Sequence, residues 1–132
     1  TLIRNIKKRG KTVLLTTHYM EEAELLCDQL VIMDQGKVIA DGSPSALLKK
    51  NFNHSYVCLD REDFNNAHDS SHINCISSPI EIREDCIAIP TNDVEKTLSE
   101  LISKNITLQS LQVRKPSLDD LFLKLTGHHL RE

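Results

Sequence analysis

Thr12-Val13-Leu14-Leu15-Thr16-Thr17-His18-Tyr19-Met20-Glu21-Glu22-Ala23-Glu24 is the stretch on which the reading of this chain turns. Thr12 to Thr16 is a short apolar, β-branched run bounded by glycine and polar residues, a pattern that suits a strand buried on both faces, as in a parallel sheet. From Tyr19 to Cys27 the pattern changes. Met20, Ala23, Leu26 and Cys27 fall on one side, and Glu21, Glu22 and Glu24 fall elsewhere. That is an amphipathic helix with its acids early, where the helix dipole favours them, and the three glutamates read as its solvated face. Thr16-Thr17-His18 then sits at the carboxyl end of the strand, the edge at which open α/β sheets bind ligands. A histidine there can point an imidazole at whatever fills the crevice. Position alone equally allows His18 to do no more than cap the following helix.

Working outward, Leu2, Ile3 and Ile6 recur at helical spacing and Gly10 follows as a stop, so the chain opens on the end of a helix. Downstream, Leu30 to Asp34 and Lys37 to Ala40 are strand-like runs around Gln35-Gly36, which predicts a hairpin. Ser43-Pro44 supplies an N-cap and a first-turn proline for a short helix. A polar patch, Asn51-Phe52-Asn53-His54, marks a boundary near residue 51. Before it the chain holds 8 Lys/Arg and 6 Asp/Glu, and after it 8 and 13. The expectation is two units, 1–50 and 51–132.

In the second unit, Tyr56 to Leu59, a broken run within 73–82, Cys86 to Ile89 (ended by Pro90), and Leu108, Leu111 and Val113 read as strands. Asn92 with Glu95 reads as a capping box opening a helix whose apolar face is Val94, Leu98, Leu101 and Ile102. Ser117-Leu118-Asp119-Asp120 opens another, with the stripe Leu118, Leu121, Phe122 and Leu125 read as core and Gly127 as the stop. These elements imply a small α+β unit, an antiparallel sheet with helices on one face, of ferredoxin-like character.

Composition excludes several functions. The 132 residues carry a net charge of −3 and 4% aromatics, which argues against a nucleic-acid partner. No run of 18 apolar residues occurs, and the early apolar stretch is interrupted at Lys7-Lys8-Arg9-Gly10-Lys11, so neither a membrane span nor a signal peptide is read. Cys27, Cys58, Cys75 and Cys86 form no C-x-x-C and read as inert thiols. His68 and His72, with Asp69, have helical ligand spacing, but Asp69-Ser70-Ser71 is a poor helix interior and a solvated loop is the plainer reading. No metal site is expected, and His128-His129 is given no role.

The unbroken match of residues 1–50, from Thr16-Thr17-His18 through Leu26-Cys27-Asp28-Gln29-Leu30-Val31-Ile32-Met33-Asp34-Gln35-Gly36-Lys37 to Asp41-Gly42-Ser43-Pro44, resembles the last stretch of an ABC transporter nucleotide-binding domain. It is most similar to the ATPase subunits of ABC-2-type exporters. Residues 51–132, closing on Lys115-Pro116-Ser117-Leu118-Asp119-Asp120-Leu121-Phe122-Leu123-Lys124-Leu125-Thr126-Gly127, are similar to the accessory domain that follows it; 61–85 match more weakly. The resemblance implies an α/β fold: the tail of a P-loop ATPase domain (helix, parallel strand, helix, hairpin), then the α+β unit. It places His18 on the family's switch-loop histidine, which hydrogen-bonds the ATP γ-phosphate. An imidazole suits that role as a donor to a phosphate oxygen, and loss of one such donor costs on the order of 10²–10³ in rate.

The chain contains no G-x-x-x-x-G-K-[ST], no signature segment and no apolar strand ending in Asp-Glu. With Thr1 rather than Met at its start, it is expected to be a piece of a longer protein that uses ATP and Mg2+, while binding neither by itself. The resemblance further implies a second ATPase subunit (a homodimer), an ABC-2-type membrane permease and a location at the inner face of the cell membrane. The alternatives are a non-catalytic interaction module and a remnant without ATPase activity.

Overall fold

Helix α1 (Leu2–Lys8) forms over the first periodic residues and ends at Gly10, which takes φ +72°. Residues 2–65 and 76–127 are described by the computed structural model of the chain. The strand expected over 12–16 does not form. Residues 11–17 have no regular secondary structure, Val13 is exposed and Leu14 is 95% exposed. A parallel strand exists only through the N–H and C=O groups of its neighbours, and among the described residues no strand pairs with this run.

Helix α2 (Met20–Leu26) follows, with Tyr19 and Cys27 as its flanking caps. Its carboxyl end is tied to α1: Lys7 Nζ donates to the Leu26 carbonyl (2.7 Å) and pairs with Asp28 (2.8 Å). That puts a cation where the helix dipole favours one. The hairpin forms as expected from β1 (Leu30–Asp34) and β2 (Lys37–Gly42). Gln35 and Gly36 both have positive φ (48° and 73°), the primed turn that matches strand twist. A bulge after Ile32 takes up one extra residue of β2. Helix α3 (Pro44–Asn51) starts on Ser43, whose hydroxyl accepts from Ala46 N, with Pro44 in the first turn.

The last helix, α6 (Leu118–Thr126), packs with these elements. The chain accordingly divides into one unit of Thr1–Phe52 with Ser117–Glu132 and a second of Asn53–Pro116. The core of the first unit is Ile32, Leu47, Leu118, Leu121 and Phe122, with Met20, Ala23, Leu30, Ile39 and Phe52 packed on it. The capping box forms: Ser117 accepts from Asp120 N, and Asp120 accepts from Ser117 N at 2.7 Å. Two backbone donors at the helix start are thereby satisfied. Gly127 closes the helix in the left-handed conformation. The expected stripe is buried through Phe122, while Leu125 is 40% exposed.

The second unit contains β3 (Ser55–Asp60), α4 (Arg61–Asn65), β4 (Glu81–Ile82), β5 (Cys86–Thr91), α5 (Val94–Ser103) and β6 (Gln112–Arg114). The strands lie in the order β4-β5-β3-β6, every pair antiparallel. Alternation separates the faces. Val57, Leu59, Ile87 and Ile89 join Phe64, Leu101 and Ile106 in the core, and Tyr56, Cys58 and Ala88 share the other face. Several local expectations shift: in the described part of 73–82 only Glu81–Ile82 forms a strand, and β6 begins at Gln112, past Leu108 and Leu111. Strand β5 continues through Pro90 to Thr91, and β4 pairs with β5 only at Ile87 and Ala88. Among the described residues no strand pairs with Pro90 on the β4 side, the setting that tolerates a residue lacking an N–H. Asp93, not Asn92, caps α5, its carboxylate accepting from Lys96 N at 3.0 Å, so the box with Glu95 does not form. Ile102 is 60% exposed and leaves the apolar face to Leu101 and its neighbours. The molecule is thus mixed α/β with two small antiparallel sheets.

Candidate functional site

The loop that carries His18 is organised by Thr17. The Thr17 hydroxyl accepts from Tyr19 N (3.0 Å) and donates to Glu22 Oε2 (3.2 Å). Those bonds start α2 although Tyr19 has no side chain able to cap it. His18 is therefore not the cap. Its imidazole is exposed, with its ring centre 4.2 Å from that of Tyr19.

An open depression of about 480 Å³ lies here, lined by His18, Tyr19, Met20, Glu21, Glu22, Leu25 and Asp119. Its volume is that of a small-molecule site. Its charge is not that of a phosphate site: three carboxylates face one imidazole. His18 fits a nucleotide as one hydrogen-bond donor, and among the described residues of this lining there is none of the cations a polyphosphate needs.

Asp119 was not foreseen at this site. The capping box Ser117–Asp120 is legible as a helix start, but nothing in a local pattern says where that helix docks. Glu24 also departs from the solvated face expected of it. It is half-buried, and its Oε2 accepts from the backbone N of Leu118 at 3.1 Å. Glu21 and Glu22 are exposed as expected.

In the second unit, Cys58 and Cys86 lie on one sheet face, Cys86 opposite Asp60 and Cys58 opposite Ala88. Burial pushes the Cys86 thiol up, the neighbouring Cys58 adds to the shift, and Arg83 and Arg114 oppose it. Both guanidinium groups lie over the Tyr56 ring, at 4.8 Å and 4.7 Å from its centre, within the range of a cation–π contact. Among the described residues no group of three or more His, Cys, Asp or Glu is placed to hold a metal ion. His68, Asp69, His72, Cys75, His128 and His129 lie outside the described residues.

No protein-family model matches the chain. Curated relatives do. The chain is 35% identical over 98% of its length to the linearmycin resistance ATP-binding protein LnrL of Bacillus subtilis, of which it covers 44%. It is 36% identical, again over 98% of its length, to the Nod factor export ATP-binding protein I of a Rhizobium species, covering 41%. The corresponding protein of Rhizobium meliloti is 35% identical, with 38% covered. The similarity to these ATP-binding proteins runs the whole chain. The chain spans about two fifths of the length of these relatives. Among the described residues no helix is long and apolar enough to cross a membrane.

Proposed function

We propose that this chain is the carboxyl-terminal part of an ABC-2-type exporter's ATPase subunit, and that it supplies His18 to the γ-phosphate of ATP held by other segments of that subunit. The observation that carries the reading is the exposed imidazole immediately before α2, in a chain similar from end to end to ATP-binding export proteins. ATP hydrolysis asks the protein mainly for positioning and charge stabilisation, so one well-aimed donor has a defined part in it. ATP and Mg2+ supply the phosphoryl chemistry in the whole subunit.

On this reading residues 1–50 are the end of the nucleotide-binding domain. The run 12–16 becomes a parallel strand once neighbouring strands of that domain pair with it, and the apolar Leu14 it now exposes supports this. Residues 51–132 are the accessory region. The element order β3-α4-β4-β5-α5-β6 and the sheet order β4-β5-β3-β6 support its ferredoxin-like character. Its last helix returns to the first unit. The partners are a second copy of the ATPase subunit and a membrane permease, which hold the subunit at the inner face of the membrane.

The test is His18→Ala in the full-length subunit. Turnover is expected to fall on the order of 10²–10³-fold with nucleotide affinity nearly unchanged. Turnover near the original rate would remove His18 from the site and leave the non-catalytic interaction module as the better account.

A further inference from the structure

Helix α2 is only seven residues long, Tyr19 offers it no side-chain cap, and the run before it has no regular structure. Such a helix is marginal by itself and is held by what it touches. At its carboxyl end the contact is Lys7 on the Leu26 carbonyl. Along its inner side the contact is α6. Met20 and Ala23 pack against the cluster containing Leu118, Leu121 and Phe122. Glu24 accepts from Leu118 N, the first backbone donor of α6. Asp119, the next residue of α6, reaches the depression that holds His18.

The Glu24 bond has two causes. The first N–H groups of a helix have no partner inside it, and the capping box satisfies Asp120 N but not Leu118 N. The amino end of a helix also favours a carboxylate. Glu24 meets both demands from another helix, so each helix restrains the other. Residues so far apart in sequence bond only if α6 returns to this place.

We propose that α6 is a clamp on the helix that presents His18, and that Glu24 is the positioning residue through which it acts. The inference rests on the reading of His18 given above. Glu24 touches no substrate in this account. It fixes the pitch and rotation of α2, and with them the direction of the imidazole at its start. A reacting group displaced by about 1 Å costs up to roughly 100-fold in rate.

The experiment compares Glu24→Ala, Glu24→Gln and His18→Ala in the full-length subunit. Steady-state ATP hydrolysis is measured alongside amide hydrogen exchange of residues 20–27. In Glu24→Ala, kcat is expected to fall roughly 10- to 100-fold with KM for ATP unchanged, and exchange in α2 to quicken. Glu24→Gln keeps an acceptor oxygen and is expected to restore most of the rate. That rescue separates aim from bulk folding, since a variant that merely failed to fold would lose nucleotide affinity too. If His18→Ala loses turnover while Glu24→Ala keeps it, the clamp is wrong and the site reading stands. If His18→Ala itself keeps turnover, the site reading fails and exchange alone decides the clamp: unchanged α2 protection in Glu24→Ala overturns it, and faster exchange upholds it as a restraint on α2.

Discussion

Leu121→Ala offers a direct measure of how much the first unit depends on its last helix. Leu121 is fully buried among Ile32, Leu47, Leu118 and Phe122. Truncating a buried leucine removes its transfer free energy and leaves a cavity, together about 2–5 kcal/mol. Leu121 is fully buried, so the expected loss is in the upper half of that range, about 3–5 kcal/mol. A unit of this size has roughly 3–10 kcal/mol in all, so the substitution removes a large share of it. Leu125, one turn on and 40% exposed, is the matched control. Leu125→Ala is expected to cost under about 1 kcal/mol. Urea titration followed by residue-resolved hydrogen exchange reads both. Amides of α6 and α2 should lose protection in Leu121→Ala while those of β3 and β5, in the other unit, keep theirs. Equal costs for the two leucines, or protection lost first in β3 and β5, would refute the packing described here.

Two further expectations follow from the titrating groups. Because burial raises the Cys86 thiol, less of it is thiolate in mildly alkaline buffer than for an ordinary cysteine, and its alkylation should lag behind that of Cys27; equal rates would contradict the assigned environment. Glu100 is held below the usual carboxylate range by hydrogen bonds from the Ser77 hydroxyl (2.7 Å) and backbone N (3.2 Å). A depressed carboxyl contributes stability above its unfolded value and loses it as pH falls through the folded one, so Glu100→Gln should differ from the parent near neutrality and converge with it in acid. A difference independent of pH would refute this.

The parts of the fold that could be read from the chain are those decided by neighbours in sequence. The Gln35-Gly36 turn, Ser43-Pro44 at α3, the Ser117–Asp120 box and Gly127 each satisfy or terminate a local backbone, and all form where the pattern puts them. What could not be read is non-local. The β-branched run 12–16 has a strand's composition, but a strand needs partners, and its exposed Leu14 shows what such a run does without them. The cap of α5 moved by one residue because Asp93 and Asn92 are both good caps. The Thr91 hydroxyl, bonded to Asp93 N and to the Asp93 carbonyl, settles the choice. The exposed place of His18 just ahead of α2 was legible from the amphipathic pattern that follows it. The placement of Asp119 and Glu24 was not, because it comes from α6 docking on α2. Helical periodicity records which face is apolar without recording what will cover it.

A structure of the full-length subunit trapped with Mg2+ and a non-hydrolysable ATP analogue should show a ring nitrogen of His18 within about 2.7–3.2 Å of a γ-phosphate oxygen, with α2 and α6 still joined through Glu24. An imidazole turned away from the nucleotide and packed against hydrocarbon would contradict the account.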